Sequence, residues 1–214
     1  MIGVDEAGKG PVLGPMVTAA VRADPTALPD GVDDSKRLSP ARRERLAAEL
    51  RADPDVAVGV AVVTTDRIDD PSTDMNTLTV DGQAAAVAEV ARDGDRVVAD
   101  ASDVSESRFA DRLGDRLAAS GAAVEVTAEH RADEHHALVG AASVVAKVER
   151  DARIDALAEE YGDVGSGYPS DRTTRTFLRE YVREHGALPP CARESWQTCA
   201  DLLAAAAQSD LSEF

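Results

Sequence analysis

The sequence predicts an α/β fold: a mixed five-stranded sheet flanked by helices, with a C-terminal helical cap. Three observations predict it. Three short Val- and Ala-rich runs come early, helix-like and strand-like segments then alternate, and strand signals stop beyond Pro169. At 214 residues the chain can bury roughly 70% of its unfolded surface in one sizeable domain. The expected division is a core over residues 1–160, a helical cap over 161–207 and a tail over 208–214.

Each element has its own warrant. Ile2 to Asp5 and Pro15 to Arg22 read as strands joined by a Gly/Pro turn. Ser39 as N-cap, with Pro40 at the first helical position, opens a charged helix to about Arg51. Val56 to Thr64, almost all Val and Ala, reads as a third, buried strand. Thr65 to Thr77 is polar and contains proline, so a loop is expected. Thr79 to Arg92 is an Ala-rich helix, and Arg96 to Asp100 is a short strand ending on an acid. Ser105 to Ser120 is helical and Ala122 to Ala128 is the fifth strand. Asp133 opens a long helix with Leu138, Ala141, Val145 and Val148 on one face. Asp171 to His185 and Ser195 to Ala207 are the helices of the cap.

Composition narrows the setting. Forty acidic against 23 basic side chains give a net charge of −17, spread along the chain rather than held in a tail. Only three of the basic residues are lysines, Lys9, Lys36 and Lys147, which resembles the acidic, lysine-poor surfaces of proteins from salt-accumulating cells. At molar salt the screening length falls to about 3 Å, which removes most of the self-repulsion. Cys191 and Cys199 lack a CxxC spacing and are expected to be reduced thiols. The absence of a long apolar run excludes a membrane span and a secretory signal, so a soluble, cytoplasmic protein is expected.

The chemistry concentrates in Val4-Asp5-Glu6-Ala7-Gly8-Lys9-Gly10-Pro11. Adjacent carboxylates suit a hard divalent cation, and Gly8 and Gly10 allow main-chain N–H groups to approach a sugar-phosphate chain. Successive strand side chains alternate, so Asp5 and Glu6 can share one site only if the strand ends there. Asp100 closes a parallel neighbouring strand, and Asp133, at a helix start that favours the ionised form, completes an oxygen-ligand set. The loop Gly165-Ser166-Gly167-Tyr168-Pro169 is a second place for close backbone approach. Two other readings fail. A phosphate-binding NTPase loop needs Ser or Thr where Gly10 stands, and the third glycine, Gly14, falls one residue late for a dinucleotide fingerprint. His135 and His136 diverge by about 100° on a helix, so they are read as surface residues.

Taken together, Asp5-Glu6-Ala7-Gly8-Lys9-Gly10-Pro11, Asp34-Ser35-Lys36, Asp100, Ala132-Asp133, Ala142 to Lys147 and Gly165 to Asp171 resemble, in order, the archaeal type 2 ribonucleases H, the ribonuclease HII family. The resemblance implies a ribonuclease H-like sheet and hydrolysis of the RNA strand of RNA/DNA hybrids. It also implies cutting 5′ of ribonucleotides embedded in duplex DNA, leaving 5′-phosphate and 3′-hydroxyl ends. Asp5, Glu6, Asp100 and Asp133 match the catalytic, metal-binding carboxylates, which hold two Mg²⁺ or Mn²⁺ ions. Gly8, Lys9 and Gly10 match an element whose backbone reads the 2′-hydroxyl, with Lys9 in place of the commoner arginine. Tyr168 matches a tyrosine that packs on the neighbouring deoxyribose. Ser35, Lys36, Asn76 and Lys147 fall where the family contacts the nucleic-acid backbone. With only four residues before Asp5, type 2 is expected rather than the related type 3. The main rival is a nucleic-acid-binding module that keeps the fold without the reaction; four intact acids argue against it. In this nuclease context Gln208, Leu211 and Phe214 have the spacing of peptides that dock on the replication sliding clamp. A monomer is expected.

Overall fold

The computed structural model describes residues 1–32 and 38–212, with side chains through residue 208. Five strands, β1 (Ile2–Ala7), β2 (Met16–Arg22), β3 (Ala57–Val63), β4 (Arg96–Asp100) and β5 (Glu125–Glu129), form one sheet in the order β3-β2-β1-β4-β5. β1, β2 and β3 pair antiparallel, whereas β4 pairs parallel to β1 and β5 parallel to β4. The β1–β2 connection over residues 8–15 is short enough only for antiparallel neighbours, the longer β2–β3 connection carries helix α1 (Pro40–Ala52), and the parallel neighbours require crossovers. The crossovers are helix α3 (Met75–Ala88), with the short α2 (Thr65–Ile68) before it, and α4 (Glu106–Ala119).

Alternation along the strands builds two apolar layers. Ile2 and Val4 of β1 pack with Val80 and Val87 of α3 and with Phe109, Leu113 and Leu117 of α4. On the other face Ala19 and Val21 of β2 pack with Leu46 and Leu50 of α1 (Pro40–Ala52) and with Leu138, Ala141 and Val145 of α5 (Ala137–Tyr161). The helix α5 lies directly on β1. A Cβ at Gly3 would stand 2.2 Å from the Leu138 carbonyl carbon, a contact no side chain could make. A third cluster, including Leu13, Ile154, Val164, Leu178 and Cys199, ties α6 (Arg172–His185) and α7 (Gln197–Ser212) to α5 and to the β1–β2 turn. Both cysteines are free and buried. Among the described residues no helix is long and apolar enough to cross a membrane.

Several expected boundaries move, each for a physical reason. The supposed loop over 65–77 contains α2 and the start of α3, because Asp74 caps that helix by accepting from the Asn76 and Thr77 amides. The third strand is an edge strand, half-buried along most of its length, with Val62 40% exposed. The fifth strand starts at Glu125, beyond the Ala122–Val124 approach. Asp133 does not cap the long helix: it sits in a 3₁₀ turn, Ala132–Glu134, and α5 starts at Ala137 with His136 at its N-cap. The last helix continues to Ser212, so the start of the expected tail is helical.

Candidate active site

The sheet register sets up the site. Val4 pairs with Ala99, so Asp5 stands beside Asp100 as β4 ends, while β1 runs on through Ala7. The expectation that β1 stops at Asp5 is therefore corrected. The pleat persists, and the two acids leave it on opposite faces. Asp5 turns toward α5, where the Ser143 hydroxyl hydrogen-bonds its carboxylate. Glu6 turns toward α3, where Gln83 Nε2 donates to its Oε2 at 2.9 Å. β4 ends at Asp100, and the charges of Asp5 and Asp100 both act on Glu6. Gln83 also donates to the Asp100 carbonyl at 3.1 Å, so one buried amide holds the ends of both strands.

Asp100 is held from the α5 side: its Oδ1 accepts from the Ala132 amide at 2.7 Å. This bond fastens the 3₁₀ turn to the end of β4 and places Asp133, buried beside Ala132, at the same end of the sheet. Arg131, which precedes the turn, has φ 59°, and it is the only non-glycine with positive φ among the described residues. Lys147, one helical turn beyond Ser143, donates to the Ser143 hydroxyl at 2.6 Å. A cation, a hydroxyl and the Asp5 carboxylate thus form a short chain.

Electrostatics mark the acids as under-compensated. Burial, followed by repulsion from Asp100, raises the Asp5 carboxyl to about 7, against the opposing Ser143 and Glu6 hydrogen bonds and the Lys147 charge. Burial and then Asp5 raise Glu6 to about 8, opposed by Gln83 and Lys9. Among the described residues no group of three or more His, Cys, Asp or Glu side chains is placed closely enough to hold a metal ion. The donor chemistry nevertheless fits a hard divalent ion: every candidate donor is a carboxylate oxygen, and added positive charge would relieve the repulsion that lifts these two groups.

Beside the acids lies a groove of about 280 Å³ lined by Glu6, Gly8, Lys9, Gly10, Lys147, Arg150, Asp151 and Tyr168. Gly8 has φ +86°, and a Cβ there would meet the Pro15 carbonyl oxygen at 2.9 Å. Gly10 is exposed, and the nearest atom to its missing Cβ is a Tyr168 ring carbon at 4.0 Å. Lys9 reaches across to donate to Asn76 Oδ1 at 2.9 Å and to the Ser102 carbonyl at 3.0 Å. The Arg150 guanidinium stands over the Tyr168 ring, 5.2 Å from its centroid, and donates to the Ser166 carbonyl at 2.5 Å. Tyr168 stays 41% exposed beside the groove.

The structure thus brings Asp5, Glu6, Asp100 and Asp133 to one end of the sheet and Gly8, Lys9, Gly10, Lys147 and Tyr168 around the groove beside it, with Asn76 held to Lys9. Ser35, Lys36 and Phe214 lie outside the described residues. Gln208 is exposed on α7, and Leu211 falls in the helical stretch beyond the described side chains. His135 is exposed, and His136 is half-buried against Glu129 at 3.0 Å. Reading the residues missed three contributors: Gln83, Ser143 and Arg150. Ser143 and Lys147 could have been paired from their four-residue helical spacing, and Gln83 from its place in an Ala-rich helix.

Comparison with known proteins identifies the family and the fold. The family model described as Ribonuclease HII matches residues 2–199. The Ribonuclease HII of Haloarcula marismortui is 63% identical over 212 residues, covering 99% of each chain. The crystal structure of the ribonuclease H2 of Pyrococcus horikoshii has a TM-score of 0.87 at 36% identity, covering 97% of this chain and 98% of that one. The structure of the PCNA:RNase HII complex from Archaeoglobus fulgidus has a TM-score of 0.83 at 38% identity, covering 94% and 95%. The chain belongs to the ribonuclease HII family, metal-dependent endoribonucleases acting on RNA/DNA hybrids.

Proposed function

We propose that Asp5, Glu6, Asp100 and Asp133 form the catalytic centre and hold two divalent ions, Mg²⁺ or Mn²⁺. On this reading the enzyme cuts on the 5′ side of a ribonucleotide in an RNA/DNA hybrid or in otherwise DNA duplex, leaving 5′-phosphate and 3′-hydroxyl. The observation that carries the reading is the meeting of Asp5 and Asp100 at the C-terminal end of two parallel strands, beside a groove lined by glycine backbone, Lys147 and Tyr168. When bound, the ions supply an activated water and neutralise charge at the scissile phosphate and the leaving oxygen. The residues of the chain do the rest. Gln83 and the Ala132 amide keep Glu6 and Asp100 in place. Lys147 and Ser143 favour the ionised form of Asp5. The backbone of Gly8, Lys9 and Gly10 faces the 2′-hydroxyl, and the Tyr168 ring packs on the adjoining sugar. Lys9, Asn76 and Lys147, together with Ser35 and Lys36, contact the phosphate backbone. A site built to bond a hydroxyl leaves polar groups unpaired when deoxyribose takes its place, which is the source of discrimination.

With a charge of −17, nonspecific attraction to a polyanion is weak, so metal, backbone hydrogen bonds and stacking carry affinity. The test is cleavage of duplex DNA with one ribonucleotide, at low and molar KCl, with each metal. Activity lost in Asp5→Asn supports the assignment; an inert wild type across all conditions leaves the non-catalytic binder.

Residues 1–160 act as the catalytic core, 161–207 as a helical cap and 208–214 as a tail. Gln208, Leu211 and Phe214 in that tail dock on the replication sliding clamp, a reading supported by the clamp complex of the Archaeoglobus fulgidus relative. Removing 208–214 should abolish capture by the clamp and leave cleavage intact. Unchanged capture would dismiss the tail. A cytoplasmic monomer is the setting we favour.

A further inference from the structure

Arg193 is fully buried, yet no described carboxylate bonds to it. Its guanidinium is given over to main-chain oxygens of the β1–β2 turn. Nη2 donates to the Gly8 carbonyl at 2.6 Å, Nη1 to the Lys9 carbonyl at 2.9 Å and Nε to the Gly14 carbonyl at 2.9 Å. The Trp196 indole Nε1 donates to the next carbonyl, Gly10, at 3.4 Å, and the Arg193 guanidinium carbon lies 4.9 Å from the Trp196 ring centroid. Main-chain bonds from Arg193 N to the Val12 carbonyl and from Gly14 N to the Cys191 carbonyl, both near 2.9 and 2.8 Å, fix the register of this backing segment.

The planarity of the trans peptide turns this into a statement about the groove. In each peptide unit the N–H of the following residue points opposite to the C=O. Carbonyls of Gly8 and Lys9 drawn back onto Arg193 therefore aim the Lys9 and Gly10 amides the other way, toward the groove. No described residue accepts from either amide. The third carbonyl drawn back, that of Gly10, is followed by Pro11, which has no N–H to satisfy.

We propose that Arg193 is a positioning residue for substrate recognition: by pinning successive carbonyls of Gly8 and Lys9 from behind, it presents the Lys9 and Gly10 amides as a rigid donor pair for the ribose hydroxyl and its phosphate. This rests on the reading of the Gly8–Gly10 loop as the ribonucleotide contact. The geometry requires a planar fork with diverging donors; a lysine ammonium at the same place has charge but cannot reach all three carbonyls. Arg193 touches no substrate. Its effect belongs to binding, and the metal centre is independent of it.

The experiment compares wild type with Arg193→Lys, Arg193→Gln and Arg193→Ala in the full chain. It measures kcat and KM on duplex DNA with one ribonucleotide, the metal concentration giving half-maximal activity, and thermal stability. The expected result is a KM raised about tenfold or more, with the metal requirement unchanged and with partial return of KM in Arg193→Ala on adding methylguanidinium. A folded Arg193→Gln with wild-type KM overturns the proposal, as does a metal requirement that rises in step with KM. Should the variants fail to fold, hydrogen exchange in Asp5→Asn decides: the ribonucleotide duplex should slow exchange at the Lys9 and Gly10 amides, and unchanged exchange overturns the proposal. The underlying reading fails separately, if wild type binds the ribonucleotide duplex no better than the all-DNA duplex.

Discussion

Replacing Asp5 by asparagine should make the metal-free protein more stable at alkaline pH while destroying activity. Asp5 is buried, and its carboxyl is raised from the ordinary 3.8 to about 7. A carboxyl raised on folding contributes fully below its unfolded value, and that contribution is lost as pH climbs through the folded value. At about 1.36 kcal/mol per unit, the ionised group at pH 9 costs the fold about 4 kcal/mol. Asparagine keeps the shape and never ionises. In EDTA and molar KCl, Asp5→Asn should therefore match wild type near pH 4 and exceed it at pH 9, by about 10 °C in Tm for a chain of this size. Adding Mg²⁺ or Mn²⁺ at pH 9 should reverse the order, since only the wild type keeps the full ligand set. Comparing the two proteins cancels the pH response of the acids remote from Asp5, while relief of Glu6, which the Asp5 charge raises, adds in the same direction. Equal melting at pH 9, or a less stable variant there, would refute the reasoning.

Gln83→Leu removes the donor that holds Glu6, so the Glu6 carboxyl, already near 8, should move higher. Loss of one hydrogen bond to a charged group should weaken apparent metal affinity at pH 7 by about tenfold, with recovery at pH 9; an equal deficit at both pH values contradicts this. Tyr168→Ala should raise KM by about tenfold while Tyr168→Phe stays near wild type, because the ring face rather than the hydroxyl is used; steady-state kinetics on the single-ribonucleotide duplex separates the two. Gly8→Ala places a side chain at φ +86° and 2.9 Å from the Pro15 carbonyl oxygen. Denaturant unfolding should show a loss of about 1–3 kcal/mol, and an unaltered midpoint would mean that the turn relaxes freely.

Most of the fold was legible because its strands carry Val-rich runs of ordinary length, and β4 was read to the residue. The shifts came from chemistry local to each boundary. Asp74 begins a helix that its polar neighbours disguise, and the Ala122–Val124 approach has strand composition without a partner strand. Asp133 is a sound N-cap by type, but the bond from Ala132 N–H to Asp100 draws its segment into a 3₁₀ turn. Strand ends and a supposed helix start singled out Asp5, Glu6, Asp100 and Asp133, and the order of several weak motifs then joined them to one family. No local pattern states that Val4 pairs with Ala99. Gln83 and Arg193 escaped because each acts across more than 70 residues of sequence on a main-chain or side-chain oxygen, and such pairing leaves no periodicity to read.

The bond between Arg193 and Gly8 spans 185 positions of the chain. During synthesis the first strand emerges early, and its acids can meet those of β4 when about half of the protein exists. The turn that follows β1 gains its backing only once Arg193, far along the chain, has emerged. A nascent chain therefore holds β1 and β4 before it holds the arginine that backs the Gly8–Gly10 turn.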